Sequence, residues 1–243
     1  MNEELKTMSS LLAEIEHAQF DWDDFEETGR RTRDLIQRIA ADKAVLADVV
    51  DRSLNDPALR AMAEHHELLD YLVLHDAPDQ GFRLRLHCST DVHRDRPHDH
   101  RFSFSSVILT GGYRHTWHRL DTDLYASRSE ADALSVMDLH QSETAEKAFE
   151  VIEPMLVRDE RPGNCYSLHH SVIHTTFTKP DTFSLFLRGP AVKSRSIILD
   201  AETRRVWWRF GAEQEPAERR AKVGLGEEAL HSLRERFNRL VLA

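Results

Sequence analysis

The chain has 243 residues, 40% of them hydrophobic and 30% charged, which is the balance of an ordinary globular protein with room for one large domain. Its formal net charge of -10 argues against a nucleic-acid surface, because such a surface needs clustered Lys and Arg to neutralise phosphates. No stretch approaches the roughly 20 apolar residues of a membrane helix, so a membrane is not an expected partner either.

The start, "MNEELKTMSSLLAEIEHAQF", is acidic and lacks the apolar core of a signal peptide. The first 75 or so residues read as helix. In "RTRDLIQRIAADKAVLADVV", Leu35, Ile39, Leu46, Val49 and Val50 fall on one face. Asp56 and Pro57 form an N-cap and first-turn pair. Beyond them Leu59, Met62, His66, Leu69 and Val73 recur at intervals of three and four, which predicts a further helix with His66 as a structural histidine on its apolar stripe.

"APDQG" at 77–81 breaks that pattern. "FRLRLHCS" then alternates Phe82, Leu84, Leu86 and Cys88 against Arg83, Arg85 and His87, as a half-buried strand does. Strand-like runs follow at about 102–109, 113–119, 165–168, 173–178, 182–187, 195–199 and 204–210, punctuated by Gly111-Gly112, Pro162-Gly163, Lys179-Pro180 and Gly189-Pro190. Many short strands between regular turn signals indicate a sandwich or barrel. Residues 120–162 read as a polar excursion with one strand near "FEVIEPMLV". After Gly224 and Gly226, Leu230, Leu233, Phe237, Leu240 and Val241 mark a closing helix. The expected layout is mainly β: a helical segment over 1–78, a barrel over 79–212 and a C-terminal helix within 213–243.

Histidine is the unusual count, at 15 residues, many of them between His65 and His174. In an extended chain, residues two apart project to one side, so His98 and His100 face together. A third ligand must come from another strand, and His174 in "RPGNCYSLHHSVIHTTF" is the natural candidate. Here the sequence resembles the cupin superfamily, double-stranded β-helix barrels that often hold one metal. "HDHRFSFSSVILTGG" matches both histidines and the closing glycine of the first cupin motif, and "GNCYSLHHSVIH" matches the second, with Gly163 first and His174 in the ligand place. Asn164 replaces the usual aspartate, and His169 and Ser171 replace a proline and a glycine. The glutamate that many cupins use as a fourth ligand would fall at Phe104 or Ser105, and Phe104 keeps the parity of the two histidines, which makes it a candidate substrate-facing ring.

The resemblance implies a metal site of three neutral imidazoles, His98, His100 and His174, whose affinity falls as pH drops through the histidine range. Iron(II) is the expected ion, with zinc, nickel or manganese as alternatives. Three-histidine cupins include thiol oxygenases similar to cysteine dioxygenase and enzymes that cleave diketones. The implied function is therefore a non-haem iron(II) oxygenase or dioxygenase that takes a small polar or carboxylate-bearing molecule and O2. A non-oxidative cupin, an isomerase, epimerase or ligand-binding module with zinc or no metal, is the other class. The resemblance also allows a homodimer.

Arg188, ending the apolar strand "FSLFLRGP", is a candidate for receiving a substrate carboxylate. Tyr113 and His115 share a strand face with Trp117 and are candidates for proton transfer. A rival set, His93 and Asp95 with His174 and Arg188, imitates the order found in 2-oxoglutarate-dependent oxygenases, but Asp95 sits in a charged loop. Cys165 reads as a packed core cysteine, and with Cys88 as the only other one, a reducing cytoplasm is the expected setting. Trp207 and Trp208 point to opposite faces of a last strand, one for the core and one for an interface.

Overall fold

The computed structural model describes residues 2–66, 69–127, 147–211, 214 and 223–243, with side chains from residue 10 onward other than that of residue 66. Part of the expected excursion, 128–146, lies outside the described residues. Four helices open the chain: α1 (Asn2–His17), α2 (Phe25–Ala41), α3 (Lys43–Asn55) and the single turn α4 (Pro57–Arg60). Aspartates start three of them. Asp24, Asp42 and Asp56 each accept from backbone N–H groups of the first turn, which would otherwise lack partners.

The helical reading of residues 61–77 is corrected by the structure. These residues form strands β1 (Glu64–His66) and β2 (Leu69–Ala77), paired antiparallel. The side chain of His66 lies outside the described ones. Residues 70–74 of β2 are all buried, because α3 covers one face and the barrel the other, and the Ser53 hydroxyl donates to the Val73 carbonyl at 2.7 Å. A strand buried on both faces carries a continuous apolar run, and such a run has no period to tell it from a helix.

The remaining strands are β3 (Phe82–Ser89), β4 (His93–Arg94), β5 (Phe104–Thr110), β6 (Tyr113–Leu120), β7 (Ile152–Glu160), β8 (Cys165–Leu168), β9 (Ile173–Thr178), β10 (Phe183–Arg188), β11 (Arg195–Asp200) and β12 (Arg205–Phe210). One sheet runs β1-β2-β3-β10-β5-β8 and a second β4-β9-β6-β7, with β11-β12 as a separate pair. From β3 to β10 the chain passes between the two main sheets in jelly-roll order, which is the double-stranded β-helix of cupin-type proteins. The short helix α5 (Leu124–Ser127) follows β6, and α6 (Glu227–Phe237), continued by a π-helical turn at Asn238–Leu242, closes the chain. Among the described residues no helix is long and apolar enough to cross a membrane.

The main hydrophobic core lies outside the barrel. It joins Leu35, Ile36, Ile39, Leu46 and Val49 of the helices, and Leu233 and Phe237 of α6, to Leu84, Leu86, Leu185 and Leu187 on the outer face of the larger sheet. Phe104, Tyr166, Leu168 and Phe186 form a smaller cluster inside. The turn from β5 to β6 needs its glycines: Gly111 and Gly112 have φ of 75° and 147°, and a Cβ on Gly112 would lie 2.5 Å from the Glu160 carbonyl oxygen. Trp208 is buried in the core as expected. Trp207 is buried too, under the Arg96 guanidinium, so it is not left for an interface.

Candidate metal centre

His98 and His100 lie in the segment between β4 and β5, and backbone bonds clamp that segment to β9. The His98 N–H donates to the His174 carbonyl at 2.9 Å, and the His174 N–H donates back to the His98 carbonyl at 2.8 Å. The residue between the two histidines provides a second anchor. Asp99 points away from them into the protein, where it accepts from the Ile197 N–H at 2.8 Å, the Tyr125 hydroxyl at 2.9 Å and Lys193 Nζ at 2.6 Å. Alternation along the chain therefore turns both imidazoles to the barrel mouth. Sequence reading missed Asp99, although an acid flanked by two same-facing histidines was the available signal.

The structure brings His98, His100 and His174 together, with one ligand atom from each within 4.8 Å of the others. Ring centroids are 4.5 Å apart for His98–His174 and 5.0 Å for the other two pairs. Nε2 of His100 and Nε2 of His174 face each other at 2.8 Å. With a metal–nitrogen bond of about 2.1 Å, adjacent imidazole nitrogens would sit about 3 Å apart, so this pair is spaced for a shared ion. Burial, with the neighbouring His98 next in effect, holds His100 and His174 well below the usual imidazole range, so both are neutral and carry the lone pair a metal requires.

The far nitrogens are already engaged. Nδ1–H of His98 donates to the Arg96 carbonyl at 2.8 Å, which leaves its Nε2 free to coordinate. Nδ1 of His174 lies 2.8 Å from Nε2 of His115 on β6. That same Nε2 accepts from the Trp117 indole N–H at 3.2 Å, so His174 is the donor to His115 and its own Nε2 is unprotonated. Behind His115, its Nδ1 and Glu160 Oε1 are fully buried and 3.7 Å apart. Burial works against the Glu160 charge, but His115, Asn164 and Arg158 outweigh it and hold the carboxyl below its usual range. Glu160, His115 and His174 thus lie in a line toward the metal position, in which the His115–His174 hydrogen bond fixes the His174 tautomer and Glu160 stands behind His115 beyond hydrogen-bond distance.

The donor set fits a divalent metal: three converging imidazoles, two of them held neutral by burial, and, among the clustered groups, no carboxylate. Phe104 faces the site as its parity implied, with its ring edge-on to His100 at 4.9 Å. Tyr113, His115 and Trp117 do face inward, and the Tyr113 hydroxyl bonds the Tyr166 hydroxyl. Burial, then Tyr166, keeps the Tyr113 phenol protonated. The rival set is not assembled. His93 pairs with Thr178 on β9, and Asp95 accepts from the N–H and hydroxyl of Thr176. Burial pushes both thiols, Cys88 and Cys165, up to about 12, so neither is a nucleophile at neutral pH.

No protein-family model matches the chain, and none of the curated proteins does. Among solved structures it is similar to KdgF from Halomonas sp., at 12% identity and a TM-score of 0.32 over 53% of this chain and 86% of that one. An RmlC-like cupin from Shewanella frigidimarina matches at 11% identity and 0.33 over 54% and 85%. The polyketide cyclase RemF from Streptomyces resistomycificus matches at 15% identity and 0.35 over 58% and 82%. The barrel itself is defined by the strand order.

Proposed function

We propose that this cupin-type barrel is a metal-dependent enzyme, an iron(II) oxygenase acting on a small carboxylate-bearing molecule and O2. The observation that supports it is the convergence of three imidazoles without a carboxylate, which would leave the charge of a bound ion unbalanced and open to an anionic ligand. The ion would supply a redox-active Lewis acid with free coordination positions.

The chain's own residues have separable parts in this reading. Arg188, at the inner end of β10, receives the substrate carboxylate. Phe104 walls the ligand beside His100. His115 is a positioning residue that acts through His174, and the protonated Tyr113 hydroxyl, paired with that of Tyr166, is a hydrogen-bond donor for the bound ligand. Zinc, nickel or manganese would suit the same donors, so the reaction and not the donor set separates the classes.

The test is oxygen uptake by protein reconstituted anaerobically with iron(II), against a panel of aliphatic, aromatic, 2-oxo and thiol carboxylic acids. The expected result is iron-dependent uptake with at least one acid, abolished in His174→Ala. Stoichiometric zinc in the isolated protein and no uptake with any acid would leave an isomerase, epimerase or binding module in its place.

A further inference from the structure

A chain of aromatic contacts leads from the metal centre to two arginines. The His100 ring meets Phe102 at 5.5 Å and Phe104 at 4.9 Å, and Phe104 packs on Phe186 at 4.4 Å. In the β3–β10 ladder Arg85 is directly opposite Phe186, and Arg83 is opposite Arg188. Cross-strand partners share a face, so all three guanidinium side chains lie on the inner face with Phe186. The apolar face of β3, with Leu84 and Leu86, is turned to the helices instead.

One of these arginines already has its anion. Arg83 grips Asp76 with two bonds, at 2.7 and 3.0 Å. The other two do not: among the described residues no carboxylate is ion-paired with Arg85 or Arg188, and the Nε of each is buried with no acceptor. Arg188 donates from Nη1 to the Gly189 carbonyl at 2.9 Å and lies over the Phe102 ring at 4.8 Å. Arg85 lies over the Tyr71 ring at 4.2 Å, and the Tyr71 hydroxyl donates to Glu64, which acts on Arg85 through space without an ion pair. Burial disfavours both charges and Arg188 is further opposed by Arg85, with Asp76, already bound to Arg83, as a lesser favourable influence on both. Two neighbouring, half-buried guanidinium groups with no ion pair of their own are costly for the fold, and one anion between them lowers that cost.

We infer that Arg85 and Arg188 form a two-guanidinium seat for one carboxylate, and that the ligand of this site is a carboxylic acid with a flat apolar body. The carboxylate occupies the seat, the body lies along Phe102 and Phe186, and the far end is directed to His100. A singly charged head suffices, because Asp76 already neutralises Arg83. Phe102, Arg85, Arg188 and His100 are each half-buried, so solvent reaches both ends of the path. This deepens the proposed function and takes from it only the metal at the reacting end; the seat needs no metal.

The test is benzoate titrated into metal-free protein by calorimetry, with benzamide as the uncharged isostere. Benzoate is expected to bind, benzamide about tenfold more weakly or not at all, and Arg85→Met and Arg188→Met each to weaken benzoate by about tenfold or more. Because each variant removes a half-buried charge that has no ion pair, its thermal midpoint should stay or rise, and Arg85→Lys should recover part of the affinity. Equal binding of benzoate and benzamide, undiminished binding by Arg85→Met, or unfolding of that variant would overturn the seat. Benzoate binding that requires loaded metal would overturn it too, while leaving the metal reading intact. Benzoate held by metal-free protein that never consumes O2 would do the reverse, removing the oxygenase and keeping the seat.

Discussion

Nδ1 of His174 lies 2.8 Å from Nε2 of His115, on the edge of the imidazole turned away from His100. One ring nitrogen is thereby committed to the protein and the other to the ion. Loss of such a supporting contact typically weakens metal binding 10- to 100-fold. His115→Gln should therefore bind iron(II) or zinc about 10- to 100-fold more weakly in competition with a chromophoric chelator. Glu160→Gln should lose less, because His115 keeps its bond to His174. Wild-type affinity in His115→Gln would show that the line from Glu160 plays no part in holding the ion.

Asp99 makes a different prediction, on stability. Its carboxylate is 1% exposed and 2.6 Å from Lys193 Nζ, whose side chain is 17% exposed. Breaking such a pair from one side strands the other charge, at a cost of about 3–5 kcal/mol when the pair is buried. Asp99→Ala should fall at the lower end of that range in urea unfolding, since Lys193 keeps some solvent, and it should lose metal as the His98–His100 segment loosens. A change in midpoint below the error of the method would mean the anchor is ornamental.

His75 predicts the acid limb of stability. Its ring stacks on Phe82 at 5.3 Å and its Nε2 is buried without a partner. Burial lowers its pKa from 6.5, against the opposing pull of Glu16 and Asp76. The unfolded chain therefore binds this proton at a higher pH than the folded one. The contribution is whole above about pH 6.5 and is lost as pH falls toward the depressed folded value. His75→Phe, measured by melting between pH 7.5 and pH 5 (a range of about 2.5 units around the reference value), should flatten that decline. An unchanged slope would assign the acid sensitivity to other groups.

Much of the fold was legible in the chain, and the gaps have physical causes. The strands from Phe82 onward show in alternation and turn residues, and His98, His100 and His174 show in parity and motif spacing. Residues 69–77 failed because a strand covered on both faces shows no alternation. Alternation in "FRLRLHCS" located β3 but not its inner face. A helical layer outside the barrel buries Leu84 and Leu86, so the polar face with Arg85 is the one that turns inward. Glu160 was invisible for another reason. It reaches His115 only because β7 pairs with β6, a contact across the excursion that no local spacing encodes.

In this reading His98, His100 and His174 hold one divalent ion. The direct measurement is elemental mass spectrometry of untagged protein purified without chelators, alongside His100→Ala and His174→Ala handled identically. One ion per chain is expected in the wild type, with iron supporting the oxygenase, and none in either variant. Metal retained at full stoichiometry in both variants, or a wild-type protein that takes up no iron(II), zinc, nickel or manganese on anaerobic reconstitution, would contradict it.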